Sequence, residues 1–259
     1  MMKLPLWLRA YGGMLVIFLL GPSLMIIPMS LSSGRTLRFP PPGYSWQWYE
    51  TLLTSSLWLN AAQTSLRVGL LTALAATILG TLTALGLARG RFWGRNALQA
   101  LVLSPMIIPL VLIAIATFAV FVRWRIAGSL WGLVLAHTVL ALPFVVINVL
   151  ASLRTVDRTL ELAAANLGAG PLRCFAYVTL PLIMPGMLAG ALFAFITSWD
   201  EIVVAIFLTS PRLRTLPIVM WGQLRTELDP TIAAAATLLT LLTTLIFALG
   251  LWLRQRQTA

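Results

Sequence analysis

The chain has 259 residues, of which 59% are hydrophobic and 10% charged, and its 18 Lys and Arg outnumber its 7 Asp and Glu. This composition excludes a compact soluble domain and is typical of a polytopic membrane protein. The positive charges lie in short clusters between apolar runs, a pattern that favours membrane topology over nucleic-acid binding.

The small number of cysteine, histidine and lysine residues excludes several kinds of functional site. Cys174 is the single cysteine and His137 the single histidine, so the chain forms no internal disulfide and no Cys/His metal cluster. Lys3 is the single lysine, and it lies outside any glycine-rich P-loop, which needs a lysine to hold the phosphates. We therefore expect no Walker-type ATPase, no resident cofactor and no catalytic residue in this chain.

The apolar runs, taken in chain order, predict an all-α membrane protein with six transmembrane helices. Each run approaches or exceeds the roughly 20 residues that cross about 30 Å of hydrocarbon. The first run is longer than a signal-peptide h-region of about 7 to 15 residues, so we interpret it as an uncleaved helix. The predicted spans are residues 11–31, 58–88, 97–122, 129–152, 181–209 and 231–252.

An even number of spans puts both termini on the same side of the membrane. If that side is the cytoplasm, the inner segments carry more Lys and Arg than the outer ones, as the positive-inside rule favours. We expect one transmembrane domain over residues 1–259.

The segment between the fourth and fifth predicted spans is too short and too polar to cross a bilayer. Its residues 161–181 read ELAAANLGAGPLRCFAYVTLP. The glycine-containing stretch from Gly168 to Gly170 predicts the end of a first short helix. Pro171 then predicts the start of a second helix, and Leu180–Pro181 predicts where that second helix ends. The spacing places four apolar residues on one face of the first helix: Leu160, Ala163, Ala164 and Leu167. An interfacial loop and a docking element for a partner protein both fit this pattern.

These residues resemble the EAA loop of permease subunits of binding-protein-dependent ABC importers. The family pattern is Glu-Ala-Ala, three residues, Gly, nine residues, then Ile-x-Leu-Pro. Leu162 departs from it, since the family has glutamate there and this chain has Glu161 one place earlier. The resemblance implies that residues 154–181, here named the coupling segment, contact the ATPase through Glu161, Leu162, Ala163, Ala164, Gly168, Ala169, Leu180 and Pro181.

The resemblance also implies the rest of the assembly. It implies a MetI-like permease fold in the bacterial inner membrane, in contact with lipid. The expected protein partners are a cytoplasmic ABC ATPase dimer, a second homologous permease and an extracytoplasmic solute-binding protein.

The fifth predicted span contains Ser198-Trp199-Asp200-Glu201 inside an apolar run. Ser198 with Glu201 fits a capping box, which predicts a helix start within the membrane region. Trp199, Asp200 and Glu201 are therefore candidate substrate-path residues, with an acid attracting a cationic solute. In the structural alternative, Glu201 only caps a helix and Asp200 pairs with an arginine.

A further resemblance concerns the solute. Residues 198–239 and the run HTVLALPFVVINV at 137–149 are similar to the spermidine/putrescine type of permease, which implies a polyamine importer. Importers of other small solutes have similar sequences. Two other classes, a stand-alone secondary transporter and a membrane-embedded enzyme, are the remaining alternatives. His137 is interpreted as a packing residue.

Overall fold

The structure is a computed structural model that describes residues 5–226 and 229–258, with side chains except those of residues 6, 10, 22 and 246–258. Lys3 lies outside the described residues. The described chain is helical and has no β-strand; its only bridges are the isolated pairs Ser32–Tyr44 and Ser210–Leu213. The predicted all-α class is therefore confirmed.

Helices follow one another with short connections along the described chain. A 3₁₀ turn, Ser104–Met106, follows α4, and a π-helical turn, Phe175–Thr179, joins α8 to α9. The helices are α1 (Leu6–Ser30), α2 (Gln47–Thr54), α3 (Ser56–Arg89), α4 (Arg95–Leu103), α5 (Leu110–Arg123), α6 (Leu130–Thr155), α7 (Arg158–Asn166), α8 (Pro171–Cys174), α9 (Leu180–Trp199), α10 (Val203–Leu208), α11 (Leu216–Thr226) and α12 (Thr231–Thr258).

Three helices of the described chain are long and apolar enough to cross a membrane. They are α3, α6 and the continuous helix Pro171–Trp199, which combines α8, the π turn and α9. The first two match the second and fourth predicted spans closely. These helices make the chain a multi-pass membrane protein.

The other predicted spans are helical but broken or shorter. Trp7–Gly21 with Ser23–Ser30 is bent by 46°, and Arg95–Met106 with Leu110–Arg123 is bent by 105°. If each bent pair is counted as one span, the described chain has 5 candidate transmembrane helices. The apolar helix Thr231–Leu245 is shorter than these candidates. The count of six transmembrane helices therefore stays a prediction.

The described residues group into two compact units. One is Met1–Asn60 with Val219–Leu251, and the other is Ala61–Ile218 with Trp252–Ala259. Within the first unit, the Trp48 indole N–H donates to the Ser32 carbonyl oxygen at 2.6 Å, which ties α2 to the end of α1. Both candidate site segments belong to the second unit. Whether residues 1–259 act as one domain stays a prediction.

The core of the second unit is the contact between α6 and α9. An added Cβ at Gly190 would lie only 2.9 Å from the Cα of Val145, and one at Gly186 would lie 2.7 Å from the carbonyl oxygen of Asn148. The spacing of these glycines, four residues apart, lets the two helix backbones approach closely. The buried contact includes Val145, Val146, Val149, Ile183 and Ala194. Because the coupling segment joins the end of α6 to α9, this packed pair positions both candidate sites.

Candidate functional site

The first helix of the coupling segment has a defined start and end. Asp157 precedes α7, and its carboxylate accepts a hydrogen bond from the backbone N–H of Thr159 at 2.9 Å. This bond, with another from the Thr159 hydroxyl, lowers the pKa of Asp157 below its usual value. After α7, Gly168 adopts φ +85°, the left-handed conformation that glycine takes without strain. The segment therefore has the predicted short helix and glycine turn.

The second helix of the segment begins as predicted but does not end at Leu180–Pro181. Pro171 occupies the first helical position, where its missing N–H costs nothing. The backbone then makes one π-helical turn, in which the Leu180 N–H bonds to the Phe175 carbonyl, and runs on into α9. This local change of register accommodates Pro181, which has no backbone N–H to donate and would clash with the preceding turn of a regular α-helix. The predicted helix end is wrong, and the helix that contains the fifth span begins at Pro171 instead of residue 181.

Glu161 faces the helical bundle. Its Oε1 lies 3.0 Å from a guanidinium nitrogen of Arg89, the last residue of α3, and accepts a hydrogen bond from the Thr179 hydroxyl at 3.0 Å. The Cys174 thiol donates to the Glu161 carbonyl oxygen at 3.7 Å. Glu161 therefore joins the two helices of the coupling segment to α3.

Apolar side chains of the segment face outward. Leu162 is 58% exposed, Leu167 89% and Leu172 84%. The other exposed members of this surface are Leu160, Ala163 and Tyr177, while Ala164 and Ala169 are half-buried. The apolar face predicted for the first helix is thus largely uncovered by the described chain. Several large apolar side chains exposed on one short segment are typical of an interaction surface.

The predicted break in the fifth span lies between α9 and α10. α9 ends at Trp199 and α10 begins at Val203, so the span does not continue to residue 209. Ser198 does not cap a helix; it is buried in the last turn of α9, with its hydroxyl 2.8 Å from Nδ1 of His137. The predicted capping box is wrong because a side chain from α6 occupies the serine hydroxyl.

Glu201 caps the helix that follows. Its two carboxylate oxygens accept hydrogen bonds from the backbone N–H groups of Val204 and Ala205 at 2.8 and 2.9 Å. Nε2 of His137 lies 3.5 Å from Oε2 of the same carboxylate. His137 is fully buried, which agrees with its interpretation as a packing residue. Glu201 therefore fixes the chain at the break between α9 and α10, since both of its carboxylate oxygens are hydrogen-bonded to the start of α10.

Asp200 and Glu201 line a cavity of about 360 Å³. Its walls include the bend in the third predicted span, at Pro105 and Leu110, and Phe144 of α6. Two interruptions of the membrane helices therefore meet at one cavity. Such interruptions are tolerated where the backbone lines a cavity or is buried in protein. The volume lies within the range of about 300 to 1,000 Å³ found for small-molecule pockets.

The candidate substrate-path residues differ in what they can contact. Asp200 is exposed, and its side chain forms no hydrogen bond or ion pair with another described residue. Trp199 does not line the cavity; it is buried and stacks on Phe195, with ring centroids 5.3 Å apart. Among Trp199, Asp200 and Glu201, only Asp200 has a carboxylate that lines the cavity and is free to contact a solute.

Two features of these sites escape a reading of the sequence alone. Pro105 and Pro109 signal a bend in the third span, but their spacing does not show that the bend faces Asp200. Arg89 stands at the end of an apolar run like any interfacial arginine, and no local signal pairs it with Glu161, 72 residues away.

Comparison with known proteins agrees with this architecture. The family described as "Binding-protein-dependent transport system inner membrane component" matches residues 76–259. The fold resembles a solved bacterial ABC transporter involved in the import of the acidic polysaccharide alginate, with a TM-score of 0.72 over 98% of this chain and 99% of that chain. Sequence identity there is 16%, so this likeness shows the fold alone.

Two relatives are closer in sequence. The chain is 35% identical to the putrescine transport system permease protein PotI of Escherichia coli (strain K12), over 86% of this chain and 81% of that protein. It is 33% identical to the spermidine/putrescine transport system permease protein PotC of the same organism, over 85% of this chain and 83% of that protein. The chain therefore belongs to the family of binding-protein-dependent transport system inner membrane components, the permease subunits of ABC importers.

Proposed function

We propose that this permease translocates a polyamine such as putrescine or spermidine, and that the cation passes Asp200 on its way through the membrane. The single observation that carries the proposal is the cavity where two broken spans meet, with an uncommitted carboxylate on its wall. The similarity to putrescine and spermidine/putrescine permeases supports the choice of solute. A solute with two or more ammonium groups offers the charge that this carboxylate attracts.

The apolar lining suits the rest of such a solute. Met106, Leu140 and Phe144 line the same cavity as the two acids and present methylene and aromatic surface. The carbon chain between the ammonium groups of a polyamine packs against such surface, and an ammonium group can also lie over the Phe144 ring. Asp200 then supplies the negative charge that attracts the solute. The apolar residues around it select for the length of the carbon chain between the ammonium groups.

The coupling segment supports the proposal that ATP hydrolysis and solute passage take place in different subunits. Its exposed apolar side chains, led by Leu167 and Leu172, form a surface that a cytoplasmic ATPase can cover. Glu161 and Arg89 tie that surface to α3, so that a push on the segment reaches the membrane helices. ATP hydrolysis then takes place in a separate ATPase dimer, and this chain contributes the pathway.

The proposed assembly contains a second homologous permease, two copies of the ATPase and an extracytoplasmic solute-binding protein. Both termini of this chain lie in the cytoplasm, which agrees with the bias of arginines and lysines. The binding protein delivers the solute to the outer mouth, and closure of the ATPase dimer switches the permease pair between inward-facing and outward-facing states.

Replacement of Asp200 tests the solute path. In the reconstituted assembly, Asp200→Asn is expected to raise the KM for putrescine about tenfold, the loss expected from one charge-assisted contact. Glu50→Gln is the matched control, because this exposed acid of α2 lies outside both the cavity and the coupling segment. Unchanged uptake kinetics in Asp200→Asn, or an equal loss in both variants, would remove Asp200 from the path.

A further inference from the structure

A second cavity, of about 280 Å³, lies where α3, α4 and α6 come together next to the coupling segment. Its polar lining consists of Arg89, Arg95, Gln99 and Arg154, and Leu87 and Leu150 add apolar surface. This cavity is separate from the one at Asp200, since the two share no lining residue. It plays no part in the proposed path of the solute.

The charges around this cavity are unbalanced. Glu161 pairs with Arg89, while no described residue forms an ion pair with Arg95 or Arg154. The Nε of Arg89 is buried and has no hydrogen-bond partner among the described residues. The nearby Asp157 is already bonded to the backbone of Thr159. Three guanidinium groups thus line one cavity beside a single carboxylate that is already paired, and their remaining donors are available to an anion.

We infer that this cavity binds a phosphate-bearing anion, namely the headgroup of an acidic phospholipid. The planar guanidinium fork matches the oxygen geometry of phosphate and can donate two parallel hydrogen bonds to it. The Gln99 amide adds a further donor. Basic pockets between membrane helices recognise anionic headgroups in this way.

The surroundings of the cavity favour a lipid over a soluble anion. The connection between α3 and α4, residues 90–94, carries Arg91, Phe92 and Trp93, and the Trp93 side chain is 100% exposed. Tryptophan and arginine next to the end of a membrane helix are typical of the headgroup region of a bilayer. The cavity therefore lies at the depth where phospholipid phosphates are found.

The bound headgroup adjoins the coupling segment. Arg89 lines the cavity and also holds Glu161, so a phosphate at the cavity and the carboxylate share one guanidinium group. An acidic lipid in this position helps to order the base of the coupling segment. Its assignment to the cytoplasmic leaflet rests on the proposed orientation, whereas its binding does not.

Lipid retention by the purified chain tests the inference. The chain is purified in detergent, incubated with equal amounts of phosphatidylglycerol and phosphatidylcholine, and the retained lipid is measured by native mass spectrometry. We expect preferential retention of phosphatidylglycerol and a decrease of about tenfold in the double variant Arg95→Gln/Arg154→Gln, which loses charge-assisted hydrogen bonds. Arg91→Gln removes the same type of charge outside the cavity and should retain the lipid as the unaltered chain does.

Several results would overturn the inference. Equal retention of the two lipids, or an equal loss in Arg91→Gln, would show that no specific headgroup site exists. Displacement of bound lipid by millimolar inorganic phosphate would instead assign the cavity to a free anion and overturn the lipid assignment. Because both substituted arginines are exposed, the double variant should fold. If position 154 carries lysine in place of glutamine (Arg154→Lys), the charge is kept and part of the lipid retention should return.

A parallel measurement separates this inference from the proposed function. If the double variant loses phosphatidylglycerol but still co-purifies with the ATPase, the lipid site stands independently of docking. If the unaltered chain releases phosphatidylglycerol when the ATPase binds, the ATPase covers the cavity, which is then a protein contact, and the inference fails.

Discussion

Glu161 and Leu162 are neighbours in sequence with opposite surroundings. One step along an α-helix turns the side chain by about 100°, so adjacent residues cannot share a face. Glu161 bonds to Arg89 and Thr179, whereas Leu162 is exposed. The position where the family motif has its acid therefore carries an exposed leucine in this chain, while Glu161 bonds to residues of the chain itself.

Substitutions at these neighbours should separate stability from docking. Glu161→Ala leaves Arg89 without its partner and is expected to lower the free energy of unfolding by about 1 kcal/mol, a modest figure because the ion pair is partly exposed. Leu162→Ala should leave stability unchanged and reduce ATPase retention. Thermal unfolding in detergent and co-purification measure the two effects. The opposite ranking, with Leu162→Ala the less stable variant, would contradict the assignment of faces.

Glu201 offers a second test at this scale. Glu201→Ala removes the acceptor of two backbone N–H groups at the start of α10 and should cost about 1 to 2 kcal/mol. Glu201→Gln keeps one acceptor oxygen and should cost less. Glu50→Ala, an exposed acid in the first turn of α2, serves as the control in thermal unfolding. Equal stability of Glu201→Ala and the unaltered chain would show that the cap is dispensable.

Sequence patterns identified the break at residues 198–201 but assigned the cap to Ser198, which belongs to the preceding helix. The Ser198 to Glu201 spacing fits a capping box, and local rules cannot distinguish a helix that starts at Ser198 from one that starts after Glu201. The contact that decides is the one between Ser198 and His137, 61 residues apart. Contacts of that length become visible only in the folded structure.

At the scale of whole elements, the turn of the coupling segment depends on one backbone conformation. Gly168 has φ +85°, and a Cβ added there would meet no atom within 4 Å. A substitution is therefore strained by its dihedral angle and not by crowding. Gly170, two residues later, has φ −67° and is equally uncrowded.

These two glycines form a matched pair. Gly168→Ala should cost about 1 to 2 kcal/mol, because an L-residue is strained in the left-handed region, and should weaken ATPase co-purification. Gly170→Ala should cost less than Gly168→Ala in both measurements, because the φ of Gly170 suits any residue and only its role as N-cap of α8 is affected. If both variants keep full stability and docking, the turn geometry does not matter for coupling.

The helices themselves could be predicted from apolar periodicity better than their ends could. The spans that became α3 and α6 were bounded to within a few residues. The predicted end at Leu180–Pro181 failed because a single π-helical turn lets the helix run past a proline that local rules treat as a stop. Tertiary packing of α9 on α6 supplies the stabilisation that keeps this helix continuous.

At the scale of the whole molecule, sequence and structure agree on class and family and differ in detail. Composition alone indicates a polytopic membrane protein, and the EAA-like spacing indicates a permease, which the family match confirms. The meeting of two broken spans at one cavity could not be predicted, because it depends on how α5, α6 and α9 pack. The count of six spans, the orientation and the partner chains stay predictions.

Putrescine uptake into proteoliposomes tests the central claim most directly. The chain is reconstituted with the second permease and the ATPase, with the binding protein outside and ATP inside, and uptake is compared with that of the chain alone. We predict ATP-dependent uptake by the complete assembly, which disappears when either the ATPase or this chain is omitted. Uptake of putrescine by this chain alone, without an ATPase, would contradict the account and identify a stand-alone transporter.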